Sequence, residues 1–98
     1  MKPVEQHAAA TRELAEAAAW YEERVEGLGE RLFEAFQETL LLIRQNPQLG
    51  SPHRRGTRKR RMDRFPYSVI YREEPDRVFV VAIAHGARKP GYWESRLS

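Results

Sequence analysis

Residues 77–84, Arg77-Val-Phe-Val-Val-Ala-Ile-Ala84, give the clearest indication of how this chain folds. It is an almost unbroken apolar run rich in Val, which is typical of a central strand covered on at least part of both faces. The preceding residues 67–72 alternate with period two, and residues 73–76 (Glu-Glu-Pro-Asp) have the chemistry of a turn. We therefore predict that the two runs pair as antiparallel strands.

The first half of the chain has the periodicity of two amphipathic helices. Apolar residues recur three and four apart over residues 8–25, and this spacing returns after Gly27-Leu-Gly29. The second helix is predicted to end near Asn46, because Pro47 cannot continue the helical hydrogen bonds. Helices joined by so short a link pack antiparallel, as a hairpin. The predicted core stripes are Leu14, Ala18, Tyr21 and Val25 in the first helix, and Phe33, Phe36, Leu40 and Ile43, reinforced by Leu32 and Leu41, in the second.

Two further strands have weaker signals. Residues 57–64 are predicted to form an edge-side strand whose charges face water, and residues 2–6 a short fourth strand. Because 98 residues have room for one modest core, residues 1–98 are predicted to form one domain. The predicted fold class is α+β, with a short N-terminal strand and an antiparallel helical hairpin packed on one face of a small antiparallel sheet.

The composition excludes several classes of function. The chain has no cysteine, which excludes disulfides and thiol catalysis and suits the cytoplasm. No window approaches the ~20 apolar residues that span a bilayer, and the N-terminus has no apolar signal core. The three histidines are scattered without metal-ligand spacing. We therefore predict no metal, no cofactor and no membrane association.

The charge is distributed unevenly along the chain. Five basic and nine acidic residues precede Pro47, and twelve basic and five acidic residues follow, so the two parts carry about −4 and +7. Residues 53–64, which we call the basic run, contain seven Lys or Arg and one acid, Asp63. One interpretation is a solvated strand that its charge protects from aggregation. The other is a footprint for nucleic acid or for an acidic protein surface, and basic charge alone does not choose between those two.

The segment after the last strand contains candidate catalytic groups. A metal-free ribonuclease needs a base for the 2′-hydroxyl, an acid for the leaving oxygen and cations for the developing phosphorane charge. The residues that offer these groups are His85, Tyr92, Arg88 and the Lys59/Arg61 pair. The alternative is structural, with His85 half-buried at the strand end and with Tyr92 and Trp93 holding the end of the chain against the core.

Aromatic residues outside this segment are candidates either for the core or for an exposed binding surface. Trp20 lies about 100° around the first helix from Tyr21, so it is a candidate for the rim of a partner groove, whereas Tyr21 belongs to the core stripe. Phe65, Tyr67 and Tyr71 flank the basic run, where an exposed ring offers a stacking surface for a base. We predict that two of these three rings are core.

Four motifs together resemble the RelE/ParE superfamily of toxins, and most closely its ParE, or plasmid-stabilisation, branch. The most specific are R-F-P-Y-S-V-I-Y-R at residues 64–72 and A-H-G-A-R-K-P-G-Y-W at residues 84–93; A-A-A-W-Y-E-E at 17–23 and N-P-Q-L-G at 46–50 accompany them. The resemblance covers nearly the whole chain. It implies a small type II toxin that a ParD-like or similar antitoxin neutralises by wrapping its flexible C-terminal part around the toxin. It also implies a fold of a short strand, a helical hairpin and three antiparallel strands.

Within this superfamily, RelE-type toxins cleave messenger RNA in the ribosomal A site and ParE-type toxins poison DNA gyrase. The resemblance places Lys59 and Arg61 at positions comparable to basic nuclease residues, and Arg88 and Tyr92 near others. However, Ser68 stands where the nuclease type has Arg, and Pro90-Gly91 belongs to the plasmid-stabilisation form.

The resemblance therefore implies a gyrase inhibitor without chemistry of its own, rather than an enzyme. The alternatives are a ribonuclease that acts on the ribosome and mRNA, and an inactive member that only binds its antitoxin. The candidate residues for binding the target or partner are Arg58, Arg60, Arg64, Arg88, Lys89, Tyr92, Trp93 and Trp20.

Overall fold

The computed structural model describes residues 1–97 and orders five strands in the sequence β1-β5-β4-β3-β2. Short 3₁₀ turns occupy Arg54–Gly56 and Glu94–Leu97. The main elements are β1 (Val4–Gln6), α1 (Ala8–Arg24), α2 (Leu28–Gln45), β2 (Ser51–Pro52), β3 (Arg58–Arg61), β4 (Tyr67–Glu73) and β5 (Val78–His85). The predicted α+β fold is confirmed, and residue 98 of the predicted domain lies outside the described residues.

The sheet differs from the prediction in two respects. It is mixed rather than antiparallel, because β1 pairs in parallel with β5 while the other neighbouring strands run antiparallel. In addition, β3 is not the outermost strand, since β2 pairs with it through Ser51 and Pro52. Because β2 reaches only Arg58 and Lys59, it leaves Arg60 and Arg61 at the free edge of the sheet.

The helical hairpin is closed by a tight link. Gly27 adopts φ 85°, a left-handed conformation that favours glycine. The Glu22 carboxylate accepts hydrogen bonds from the backbone N–H groups of Gly27 and Gly29, at 2.9 and 3.0 Å. A Cβ at Gly29 would lie 2.6 Å from the Ala18 carbonyl oxygen, so only glycine allows the helices to approach this closely.

The second helix buries most of its predicted core stripe, since Leu40 also packs against the core, but two predicted residues are exposed. Its buried apolar side chains are Leu32, Phe36 and Ile43, whereas Phe33 and Leu41 are exposed. Val25, predicted as core, is the exposed C-cap of α1. The prediction was wrong for Phe33 and Leu41 because α2 has apolar residues on more than one face, so that periodicity alone did not separate them from the buried stripe.

The core lies on both faces of the sheet, as the apolar run of β5 predicted. On one face, Val78, Val80 and Ile83 pack with both helices. On the other face, Val81 and Ala82 pack with Ile70 of β4 and with Trp93. An irregularity in the β4–β5 register at Ile70/Tyr71 places the consecutive residues Val81 and Ala82 on the same face.

Tyr71 joins the sheet to the loop that follows α2. Its hydroxyl accepts a hydrogen bond from the N–H of Gly50 and donates one to the Pro47 carbonyl, both at 2.8 Å. Burial of the side chain raises the pKa of Tyr71. Phe65 is also buried and Tyr67 is half-buried, so two of the three flanking aromatic rings are core, as predicted.

Candidate functional site

The first candidate region, which we call the basic groove, is a cavity of about 410 Å³ on the sheet face opposite the helices. Arg61 lies directly across from Ser68 in the β3–β4 register, and Lys59 lies across from Ile70, so both cations share the face that Ile70 presents to Trp93. The groove is lined by Leu49, Ser51, Lys59, Arg60, Arg61, Pro66, Ser68 and Gly86.

The other arginines of the basic run have partners. Arg58 donates to the carbonyl oxygens of Gly50 and Gln48, at 2.8 and 3.3 Å, and so holds the loop before β2 in place. Arg54 and Arg55 each lie 3.6 Å from the Glu94 carboxylate. These contacts attach the basic run to the C-terminal segment.

The last two residues of this region, Arg64 and His53, differ in exposure. Arg64 is almost fully exposed, with its Nε atom 3.7 Å from the Asp63 carboxylate. His53 stacks at a tilt on Trp93, with ring centroids 5.8 Å apart. Partial burial, followed by the positive charges of Lys59 and Arg54, lowers the pKa of His53. Since His53 therefore favours its neutral form, the positive charge of this region at neutral pH comes from Lys and Arg.

The second candidate region, which we call the aromatic pocket, has a volume of about 480 Å³ and lies between α1 and the ends of β4 and β5. The rings of His85 and Tyr67 meet edge to face at 5.0 Å, and His85 Nδ1 accepts a hydrogen bond from the Ala87 N–H. Trp20 is half exposed at the rim, with the Arg24 guanidinium 3.4 Å from its ring centroid. The lining residues are Glu13, Glu16, Ala17, Trp20, Tyr21, Tyr67, Ile83, His85 and Arg88.

The end of the chain is fastened to the core. Trp93 is only 1% exposed and packs on the second face of the sheet. The Tyr92 hydroxyl donates to Glu13 Oε2 at 2.7 Å, and the Arg88 guanidinium lies 3.8 Å from the Tyr92 ring centroid. Burial, reinforced by the Glu13 carboxylate, raises the pKa of Tyr92 well above its usual value, so its hydroxyl keeps its proton. Lys89 is exposed.

The structure separates the residues that sequence reasoning grouped as a nuclease site. Lys59 and Arg61 line the basic groove, whereas His85 and Arg88 line the aromatic pocket, and among the described residues no side chain lines both. The two cavities lie on opposite faces of the sheet, because His85 pairs with Tyr67 and Arg61 pairs with its neighbour Ser68.

Glu13 was missed by the sequence analysis. Its carboxylate accepts from the Tyr92 hydroxyl, the Arg96 guanidinium and the Ile83 N–H. Although burial by itself raises the pKa of Glu13, the hydrogen bonds from Arg96 and Tyr92 keep it below its ordinary value. No local motif predicted this role, because Arg96 lies 83 positions along the chain.

Comparison with known proteins assigns the family. A sequence model described as "ParE toxin of type II toxin-antitoxin system, parDE" matches residues 4–90. The chain belongs to the ParE toxin family. A similar solved structure is the chromosomal ParDE TA system from P. aeruginosa, with a TM-score of 0.64 and 20% identity over 87% of this chain and 96% of that one. No curated protein matches significantly.

These findings confirm the resemblance and its ParE branch, and the solved structure confirms the fold. The protein is a ParE-type toxin of a type II toxin–antitoxin system. Neither α1 nor α2, the two α-helices of residues 1–97, combines the length and the apolar content that crossing a bilayer requires. In the same residues, no cluster of three His, Cys, Asp or Glu side chains is placed to hold a metal ion.

Proposed function

We propose that this ParE-family chain is a single toxin domain that inhibits DNA gyrase by binding it, and that a ParD-like antitoxin neutralises it in the cytoplasm. The main support for binding rather than RNA cleavage is that the basic groove and the aromatic pocket are separate. A binding toxin tolerates that separation, whereas a nuclease needs its cations and its proton-transfer groups around one phosphate.

The candidate acid and base groups support the same choice. The Tyr92 hydroxyl is engaged with Glu13, and its raised pKa makes it a poor base for a ribose hydroxyl. His85 lies on the helix side of the sheet, away from Lys59 and Arg61. In the groove itself Arg61 faces Ser68, where the resemblance to RelE-type nucleases would require an arginine.

The antitoxin is expected to bind on the helix side of the molecule. Phe33, Leu41 and Leu42 are 42%, 47% and 45% exposed. These apolar side chains lie on different sides of α2, and the toxin alone leaves them open to solvent along this helix. Beside it, a cleft between α2 and β3 is lined by Leu42, Met62, Arg60 and Arg64, among others. An amphipathic segment with acidic residues complements apolar side chains that lie next to arginines.

The test is induction of the toxin without antitoxin, with thymidine and methionine incorporation followed in parallel, together with a supercoiling assay on purified gyrase. We expect DNA synthesis to stop first and supercoiling to be inhibited. If protein synthesis stops first and mRNA is cut on ribosomes, the ribonuclease alternative replaces this proposal. If neither synthesis stops, the chain is an inactive member that only binds its antitoxin.

A further inference from the structure

The basic groove is the open part of the sheet face that the C-terminal segment otherwise covers. Trp93 covers Ile70, Val81 and Ala82 on this face. Lys59 and Arg61 remain exposed beside that covered area. Ser68 and Gly86 also line the groove, and the Gly86 N–H donates to the Pro66 carbonyl at 2.8 Å.

The charge of this surface is not neutralised by the toxin itself. Within residues 1–97, Lys59, Arg60 and Arg61 make no ion pair with a carboxylate. Arg54 and Arg55 share the single carboxylate of Glu94. The lining of the basic groove therefore carries three cations and, among the residues that the structure describes, no carboxylate, and it attracts a partner of high negative charge.

The rest of the lining indicates which kind of polyanion fits. Protein interfaces depend on apolar and aromatic anchors. Apart from Met1 at the N-terminus, the large exposed apolar side chains of the described residues lie on or beside the helices: Trp20, Val25, Phe33, Leu41 and Leu42. Single-stranded nucleic acid is bound by stacking its bases on aromatic rings, and among residues 1–97 no aromatic side chain lines the groove. A duplex backbone, by contrast, is contacted through cations, hydroxyls and backbone N–H groups.

We propose that the basic groove binds the phosphate backbone of duplex DNA without regard to sequence. Lys59 and Arg61 are two residues apart on one strand face, so their Cα atoms are about 6.8 Å apart and reach separate phosphates. The choice of DNA over duplex RNA rests on the proposed gyrase target, since gyrase works on DNA. The toxin then contacts the DNA directly, besides contacting the enzyme.

The experiment measures binding of folded, antitoxin-free toxin to short fluorescent DNA duplexes of two unrelated sequences, by anisotropy, from about 50 to about 200 mM salt. We expect equal affinity for both sequences and a log–log salt slope near −3, because each neutralised phosphate contributes about −0.9. Lys59→Ala with Arg61→Ala should reduce the slope to roughly −1 and weaken binding on the order of 50-fold at about 0.1 M salt.

The matched control is Arg12→Ala with Arg31→Ala, which removes the same charge from two exposed helical arginines. Both double variants are first shown to keep the wild-type melting temperature, and Lys59→Gln with Arg61→Gln replaces the alanine pair if it does not. If the control variant loses as much affinity for DNA, the loss results from the lower net charge rather than from the groove, and the proposal is overturned. Tighter binding to an RNA duplex, or to a poly-glutamate peptide of equal charge, would also overturn it.

DNA binding by the basic groove and inhibition of gyrase are tested by different assays, so each can be refuted without the other. The binding assay contains no gyrase, so it tests the DNA site alone, and the supercoiling assay tests the target. If wild-type toxin binds DNA but does not inhibit gyrase, the target is wrong and the DNA site stands. If it inhibits gyrase but binds no duplex, the groove proposal is refuted and the target stands.

Discussion

Arg96 and Glu13 form a bidentate ion pair across 83 positions of the chain, with Nη1 and Nη2 each 2.9 Å from a carboxylate oxygen. The strand β1 pairs with β5 only as far as Val80. Beyond Val80, the Arg96–Glu13 pair lies along the edge of β5 that β1 leaves unpaired. Arg96 donates to the Val81 carbonyl at 3.1 Å, and Glu13 accepts from the Ile83 N–H at 3.0 Å. Two side chains thus satisfy the backbone groups that a neighbouring strand would otherwise pair.

Removing one member of this pair should destabilise the toxin. Arg96→Ala leaves the Glu13 carboxylate with an unmatched charge and the Val81 carbonyl with a lost donor, at a cost of about 2 kcal/mol in the free energy of unfolding. Urea unfolding of Arg96→Ala, Glu13→Ala and the double variant measures the coupling. Strictly additive losses would show that the pair contributes no coupling energy.

The same carboxylate should make stability depend on acid pH. Because the pKa of folded Glu13 lies below its ordinary value of 4.5, its contribution is fully present above that value and is lost as pH falls through the folded pKa. The stability difference between wild type and Glu13→Gln should therefore shrink on acidification below pH 4.5. Urea unfolding of both proteins at neutral and acid pH gives the measurement, and a constant difference would contradict the assignment.

Loss of the Tyr71 hydroxyl should loosen the loop after α2. Tyr71→Phe removes its hydrogen bonds to Gly50 and Pro47 and leaves buried backbone groups unpaired, which costs roughly 1.5 kcal/mol. Tyr67→Phe is the matched control on the same face of β4, and should change the free energy of unfolding by less than about 0.5 kcal/mol. Equal effects of the two substitutions would refute the role given to the Tyr71 hydroxyl.

Substitution of Trp93 should lower the stability of the toxin, and any loss of gyrase inhibition should follow from that loss of stability. Trp93→Ala empties a fully buried site and is expected to cost about 3–5 kcal/mol. Lys89→Ala, at an exposed position of the same segment, should leave the melting temperature unchanged. Gyrase inhibition measured alongside thermal unfolding then separates the two effects. A stable Trp93→Ala protein without inhibition would instead favour direct target contact.

The exposed surface of α2 should bind the antitoxin. Leu41→Ser is expected to weaken the toxin–antitoxin complex by about 1–3 kcal/mol while preserving toxin stability, because Leu41 is already exposed in the free toxin. Gln37→Ser, one turn earlier on the same helix face, is the control. Calorimetric titration with the cognate antitoxin compares them. Unchanged affinity in Leu41→Ser would place the antitoxin elsewhere on the toxin.

Much of this fold was predictable because its signals are local. The helix α2 ends at Gln45, one residue before the predicted end at Asn46, and Pro47 follows. The apolar run of β5 forms a strand that is buried on both faces. The parallel pairing of β1 was not predictable from the strand pattern, since β1 has only three residues and its partner lies more than seventy positions away. Strand direction is set by the path of the chain rather than by residue pattern.

The candidate site was less predictable than the fold. The sequence grouped Lys59 and Arg61 with His85 by chemistry, but strand alternation places them on opposite faces of the sheet. It also placed Phe33 in the core, because a helix with apolar residues on several faces does not reveal which face meets the sheet.

By itself, the sequence determined the helical hairpin, the β4–β5 strand pair, the basic character of the second half and the family. These properties follow from backbone periodicity, from proline and glycine chemistry, and from charge, all of which act over a few residues. The grouping of cations on one surface, and the contacts that hold other cations to partners, depend on the tertiary structure. The tertiary structure also decided that Glu13 meets Arg96, because contacts between distant residues depend on how the whole chain packs.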